Sequence, residues 1–384
     1  MISENTKIQS RRTARILTVA CGLLFFTFSF VYLYVFQEDL LEAFHYSLSE
    51  GKTQFSPLGT ALVISALLVL LRLGVNVFLR LKGAVRELAY FPSCLLLGVI
   101  TSVGYEVYEG KALNGYWIWL LPLLLVAFVG VAFIVGRFWE AYFGRFSDAR
   151  CIVNGNLFIL LMLCMMTMFI GNTNIHFHRE LAVEKALKQK EYGMALDIGK
   201  KQMDPSHALT ALRAYALSKE EALGERLFEY PQLYGAAGLL LMGEDADRLR
   251  LTGDSLYTYL GAKPASNERP IDFFNRICRE DIGSHVSLDY YLSALLLERQ
   301  LSRFVSEFNT LYLVGDSIPR YYEEALFLHD KLNPEFPAKV QNESLEEKWN
   351  EYIQKCKDVS GDIGEGNLVR RAYGNTYWWY YQYK

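Results

Sequence analysis

Five stretches within the first 171 residues are apolar enough and long enough to cross a lipid bilayer, and nothing else in the sequence restricts the fold as strongly. They are 16–36, 58–79, 88–104, 117–135 and 153–171. A helix rises about 1.5 Å per residue, so about 20 residues cross a hydrocarbon core of about 30 Å. Within such a core every backbone group needs a partner in the chain, which makes these stretches helices. The third stretch is short and contains Pro92, and the fourth contains Pro122. The first has a longer apolar run than a signal peptide and no small-residue cleavage site after it, so it reads as an uncleaved anchor.

Orientation follows from the basic residues, which collect on the cytoplasmic side. Lys7, Arg11, Arg12 and Arg15 precede the first stretch; Arg80, Lys82 and Arg86 follow the second; Arg137, Arg145 and Arg150 follow the fourth. The other two loops are acidic, with Glu38, Asp39, Glu42 and Glu50 against Lys52, and Glu106 and Glu109 against Lys111. The N-terminus is therefore expected in the cytoplasm. An odd number of crossings then places 172–384 outside, in the periplasm of a two-membrane bacterium. The mixture of aromatic and basic residues over 137–145 predicts an interfacial helix lying flat on the cytoplasmic face.

After residue 172 the composition turns polar, and apolar residues recur at spacings of three and four. The chain is thus expected to be all-α: a polytopic segment at 1–171 and a soluble helical domain at 172–384. Paired helices are predicted at 179–190 with 194–203 and at 288–299 with 301–313. Others are predicted at 207–218, 271–279, 320–332 and 345–357. The pairs suggest a tetratricopeptide-like domain, locally at Lys190-Glu191-Tyr192-Gly193-Met194-Ala195-Leu196 and again around Ala294 to Phe304. No regular 34-residue period runs through 223–270. A net charge of −3 offers no basic field for nucleic acid.

Several segments resemble a known family: Thr53-Gln54-Phe55, Tyr90-Phe91-Pro92-Ser93, the run from Leu223 through Glu229-Tyr230-Pro231, and the aromatic terminus Tyr377-Trp378-Trp379-Tyr380-Tyr381-Gln382-Tyr383. They are similar to an uncharacterised multi-pass membrane family of Bacteroidota. That resemblance extends over nearly the whole chain and implies an inner-membrane protein. It brings no catalytic residues.

Candidate residues are few. Arg72 lies well inside the second stretch, where an ionisable residue is a functional candidate by default; alternatively it snorkels to the nearby helix end or bonds Asn76. Glu38 and Asp39, at the outer exit of the first stretch, could serve as base or metal ligand for a lipid-linked sugar, although acidic residues are expected there from topology alone. His176 and His178 follow a methionine-rich stretch, but alternate residues on a helix point apart. Gly361 to Gly366 lacks the strand and the Lys-Ser of a phosphate loop and reads as a flexible linker. Asn342-Glu343-Ser344 matches a glycosylation sequon. The six cysteines form no metal-finger pattern, and only Cys278 and Cys356 of the soluble part are open to pairing. The aromatic run at 377–383 is expected to pack within the fold. No cofactor or metal site is expected, nor a catalytic triad.

These features predict a non-enzymatic, membrane-anchored scaffold whose periplasmic domain binds another envelope protein. The alternative is a glycosyltransferase-like membrane enzyme using Glu38, Asp39 and Arg72.

Overall fold

The computed structural model describes the chain apart from residues 1, 112–113, 144–148, 313–317, 336–341 and 362–363, and apart from the side chains of 2–14, 136–143 and 149. Among the described residues the ordered elements are all helical. The chain divides into Met1–His178 and Arg179–Lys384. The division falls in the first turn of one helix, slightly later than the composition change places it.

The first unit contains α1 (Ile2–Val31), α2 (Glu38–Ser49), α3 (Pro57–Leu79), α4 (Phe91–Ile100), α5 (Trp117–Phe143), α6 (Ala149–Ile170) and the start of α7 (Ile175–Lys188). Among the described residues, five segments are long and apolar enough to cross a membrane: Arg15–Phe36, Pro57–Leu79, Gly83–Ile100, Trp117–Val135 and Arg150–Ile170. The third departs from the sequence expectation. It begins at Gly83, with a 3-10 turn over Gly83–Tyr90, and Thr101 to Gly104 lie beyond its end. Pro92 stands in the first turn of α4, where its missing N–H needs no partner, while Pro122 lies inside α5. Residues 137–143 continue α5 instead of forming a separate helix, and the rest of the expected interfacial helix lies outside the described residues.

The third segment is also the innermost. Two thirds of it (67%) is buried, against 28% or less for each of the others. Close approach of α4 and α6 depends on Gly98, where a Cβ would stand 2.8 Å from that of Ile170; the Thr167 hydroxyl bonds the Cys94 carbonyl beside it. The outer helices leave large apolar side chains uncovered, among them Leu24, Leu67, Phe78, Trp119, Phe133 and Phe169.

The second unit continues α7 with α8 (Tyr192–Asp197), α9 (His207–Lys219), α10 (Leu223–Arg226), α11 (Gly253–Leu260), α12 (Pro270–Arg279), α13 (Ser287–Leu297), α14 (Leu301–Leu311), α15 (Arg320–Leu332), α16 (Glu343–Asp358), α17 (Glu365–Tyr373) and α18 (Tyr377–Tyr383). α9 and α13 are buried along nearly their whole length because apolar or small residues occupy every face. Three of the connections share one geometry. At Lys190, Glu221 and Arg299 the chain turns through the left-handed region, with φ of 61°, 53° and 55°. In each, that residue's N–H bonds the carbonyl three back, and the next N–H bonds the carbonyl five back. This is the Schellman arrangement, which satisfies the last carbonyls of one helix while reversing the chain into the next.

The partner expected over 194–203 is shorter than predicted, because α8 stops at Asp197 before Gly199 turns at φ 64°. The irregular stretch 223–270 holds α10, α11 and 3-10 turns at Leu227–Glu229, Gly235–Leu239 and Gly243–Asp245. Of the stretch expected to be a flexible linker, Gly361 to Gly366, residues 362 and 363 lie outside the described residues, and its last glycine is packed. Gly366 lies in α17, its carbonyl accepts the Trp379 indole N–H at 2.9 Å, and a Cβ there would meet the Tyr383 ring at 3.0 Å.

Candidate functional site

Charge buried in apolar surroundings is where this chain could do chemistry, and each unit contains such a cluster.

The first is built on Arg72. Its Nη2 donates to Glu87 Oε2 at 2.7 Å, and both side chains are almost fully buried. The guanidinium also stands 5.0 Å from the Tyr90 ring centroid. Glu87 is held in turn by α6: its N–H donates to Asn156 Oδ1, whose Nδ2 donates to the Gly83 and Ile152 carbonyls. The Gly83–Tyr90 turn lacks regular α-helical hydrogen bonding, and Asn156 supplies two of the partners it needs. Arg72 therefore does not bond Asn76, whose Oδ1 has no hydrogen-bond partner, and it has no need to reach solvent. A buried ion pair costs desolvation, so a counter-charge with good geometry is what makes Arg72 tolerable at this depth.

Glu38 and Asp39 belong elsewhere. They occupy the first turn of α2, where carboxylates offset the positive end of the helix. Arg72 lies fifteen residues along α3 from Pro57, about 22 Å, whereas α2 leads into the Pro57 end. The structure does not bring the three together. Beside Glu38, Gln37 ties chain ends: its Nε2 reaches Tyr32 Oη at 3.3 Å and the Asn172 carbonyl at 3.1 Å, and Asn172 Nδ2 reaches the Val103 carbonyl at 2.7 Å.

The second cluster joins α7, the start of α9 and the segment 242–252. Glu180 and Glu184 lie one turn apart on α7, both buried. Arg248 Nη1 donates to Glu180 Oε2 at 2.5 Å and stands 4.0 Å from Glu184 Oε1, and its Nη2 pairs with Asp245. Asp245 Oδ2 contacts His207 Nδ1 at 2.7 Å, and His207 Nε2 contacts the Ala237 carbonyl at 2.9 Å. The Ser206 hydroxyl donates to Glu180 Oε1, and the Arg250 N–H to Glu184 Oε2 at 3.1 Å. Burial pushes Glu184 up to about 7, against the pull of Arg248 and Arg250 and with Glu180 adding to the rise. Asp245 lies below the usual carboxylate range: burial pushes it up, but His207 and Arg248 hold it down more strongly. Ser206 caps α9 and faces Glu180, whose other oxygen is taken by Arg248, instead of His207.

The remaining candidates fall into structural places. Phe177 is buried against Tyr105 at 4.8 Å between ring centroids, which leaves His176 and His178 apart, and His178 Nε2 contacts the Asn172 carbonyl. Among the described residues no three His, Cys, Asp or Glu side chains converge as metal ligands. Cys278 and Cys356 are both free thiols. Asn342 caps α16 and its amide donates to Glu323 Oε1 at 2.8 Å. The aromatic terminus forms α18, with Tyr377, Trp378, Trp379 and Tyr380 buried in the domain core. Glu324 receives the Tyr377 N–H at 2.8 Å, and its carbonyl receives the Trp378 indole N–H at 3.0 Å.

Sequence reasoning missed Glu87, Asn156 and the whole second cluster. A signal for Glu87 was present, since it is the one acidic residue between Arg72 and Tyr105. Nothing local distinguishes Glu180 and Glu184 from a solvated helix face.

The model of one protein family, a family of unknown function (DUF6057), matches residues 5–272 and 264–384. No curated protein and no solved structure matches the chain.

Proposed function

We propose that this chain, which belongs to the family of unknown function DUF6057, is an integral membrane protein that presents its Arg179–Lys384 domain to another protein of the cell envelope. The observation that carries the reading is the uncovered apolar surface of the spanning helices, such as Trp119, Phe133 and Phe169. Burying each such side chain is worth about 1.5–3 kcal/mol, so a bilayer is the environment that stabilises this surface. Five crossings, with Arg80 and Lys82 inside and Glu106 and Glu109 outside, support an N-terminus in the cytoplasm and Arg179–Lys384 in the periplasm.

A binding role draws support from the hairpins with shared turns at Lys190, Glu221 and Arg299, which we read as tetratricopeptide-like and able to present side chains to a partner. The enzyme reading would have to work with Glu38 and Asp39 alone, because Arg72 is engaged by Glu87. Photo-crosslinkers placed along Arg179–Lys384 of the full-length protein in native membranes test the binding role. Reproducible capture of one envelope protein is expected; capture of lipid-linked material in its place would move the function into the spanning half.

A further inference from the structure

The second buried cluster has a property that a static scaffold does not need. Both nitrogens of His207 face acceptors, Asp245 Oδ2 at 2.7 Å and the Ala237 carbonyl at 2.9 Å. A neutral imidazole has one N–H and can satisfy only one of them; the doubly protonated ring satisfies both. The edge of Tyr234 packs on the ring at 5.2 Å, and the Tyr234 hydroxyl donates to the Pro205 carbonyl, which keeps the imidazole in this orientation. On the opposite side of the cluster, Glu184 Oε1 has no hydrogen-bond partner, and Arg248 Nη1 stands 4.0 Å away. Arg248 itself is committed to Glu180 and Asp245. A fully buried carboxylate with that surrounding is better accommodated protonated.

We propose that the segment 242–252 is a pH-dependent clasp on α7 and α9, fastened when Glu184 carries a proton and loosened as it loses it. The groups facing Glu184 are Glu180 on its own helix and Arg248 and Arg250 on the segment; those facing His207 are Asp245, the Ala237 carbonyl and Tyr234. Deprotonating Glu184 places a second carboxylate in the buried cluster beside Glu180, with one oxygen that has no hydrogen-bond partner. Since the folded Glu184 holds its proton up to about 7, above the ordinary carboxylate value, its share of the stability is complete in acid and is lost as pH rises through neutrality. Loosening would uncover the acidic face of α7 and the first turn of α9; on the reading proposed above that this domain faces the periplasm, the surface open to a partner would depend on periplasmic pH.

Hydrogen exchange on the full-length protein in detergent micelles tests this, read at the amides of 242–252 and normalised for intrinsic exchange. The Ala246 amide, bonded to the Gly243 carbonyl within the segment, is expected to lose protection by about tenfold or more between about pH 5.5 and about pH 8, as a shift of one unit or more in a linked group allows. Glu184→Gln keeps the acceptor for Arg250 and is expected to abolish most of that change. Equal normalised protection at both pH values in the unmodified protein overturns the proposal. So does a full-size response in the Glu184→Gln variant.

Discussion

The Arg72 guanidinium and the Glu87 carboxylate meet at 2.7 Å inside the apolar half of the chain, where each is almost completely buried. The pair links α3 to the turn before α4, and through Asn156 to α6. Removing one partner leaves an uncompensated charge, which costs about 3–5 kcal/mol, while replacing both with apolar residues of similar size is close to neutral or better. Arg72→Met and Glu87→Met should therefore each lower the thermal midpoint of the purified protein sharply, and the double variant should recover most of the loss. Additive losses in that double-mutant cycle would show that the two side chains do not act as a pair.

Asn156 supplies an acceptor to the Glu87 N–H and a donor to the Gly83 carbonyl. Asn156→Leu keeps the bulk and removes both, so two buried backbone groups lose partners at about 1–3 kcal/mol each. Asn156→Leu should destabilise the protein more than a leucine placed at exposed Met162 of the same helix; equal stability of the two would discount this role.

Gly171 is needed for a close approach. A Cβ there would stand 2.1 Å from Tyr32 Oη and 2.8 Å from Thr101 Oγ1. Gly171→Ala should cost about 1–3 kcal/mol by overpacking, and adding Tyr32→Phe, which deletes the clashing hydroxyl, should restore part of it. Lack of any rescue in the unfolding midpoint would argue against this contact.

The left-handed residues at Glu221 and Arg299 carry side chains where glycine is at ease. Glu221→Gly and Arg299→Gly should each stabilise the second unit, or cost nothing, within about 1 kcal/mol, because relief of steric strain offsets the greater freedom of the unfolded glycine. A loss well beyond that in chemical denaturation would mean that these side chains hold the hairpins together.

Local pattern and long-range pairing explain what could be read in advance. The apolar stretches and the helices at 207–218, 271–279 and 320–332 are written in neighbouring residues, and α9, α12 and α15 start and stop within a residue or so of those limits. The third apolar segment was misplaced because a window that rejects charge cannot include Glu87, whose cost is offset by Arg72 from another helix. The clasp was invisible for the same reason. Glu180 and Arg248 are 68 residues apart in sequence, and only the fold makes them neighbours. Short elements such as α10, with four residues, carry too little periodicity to be seen. The role of α18 was legible as packing, but its partner Glu324 was not.

The central claim is that five crossings separate a cytoplasmic N-terminus from an external domain, and labelling with a membrane-impermeant maleimide in sealed, right-side-out vesicles tests it most directly. Single cysteines would replace Lys52, Lys82 and Lys384 in an otherwise cysteine-free chain. The account predicts labelling at positions 52 and 384 without disrupting the vesicles, and at position 82 only after they are opened. Protection of position 384 together with labelling of position 82 would contradict it.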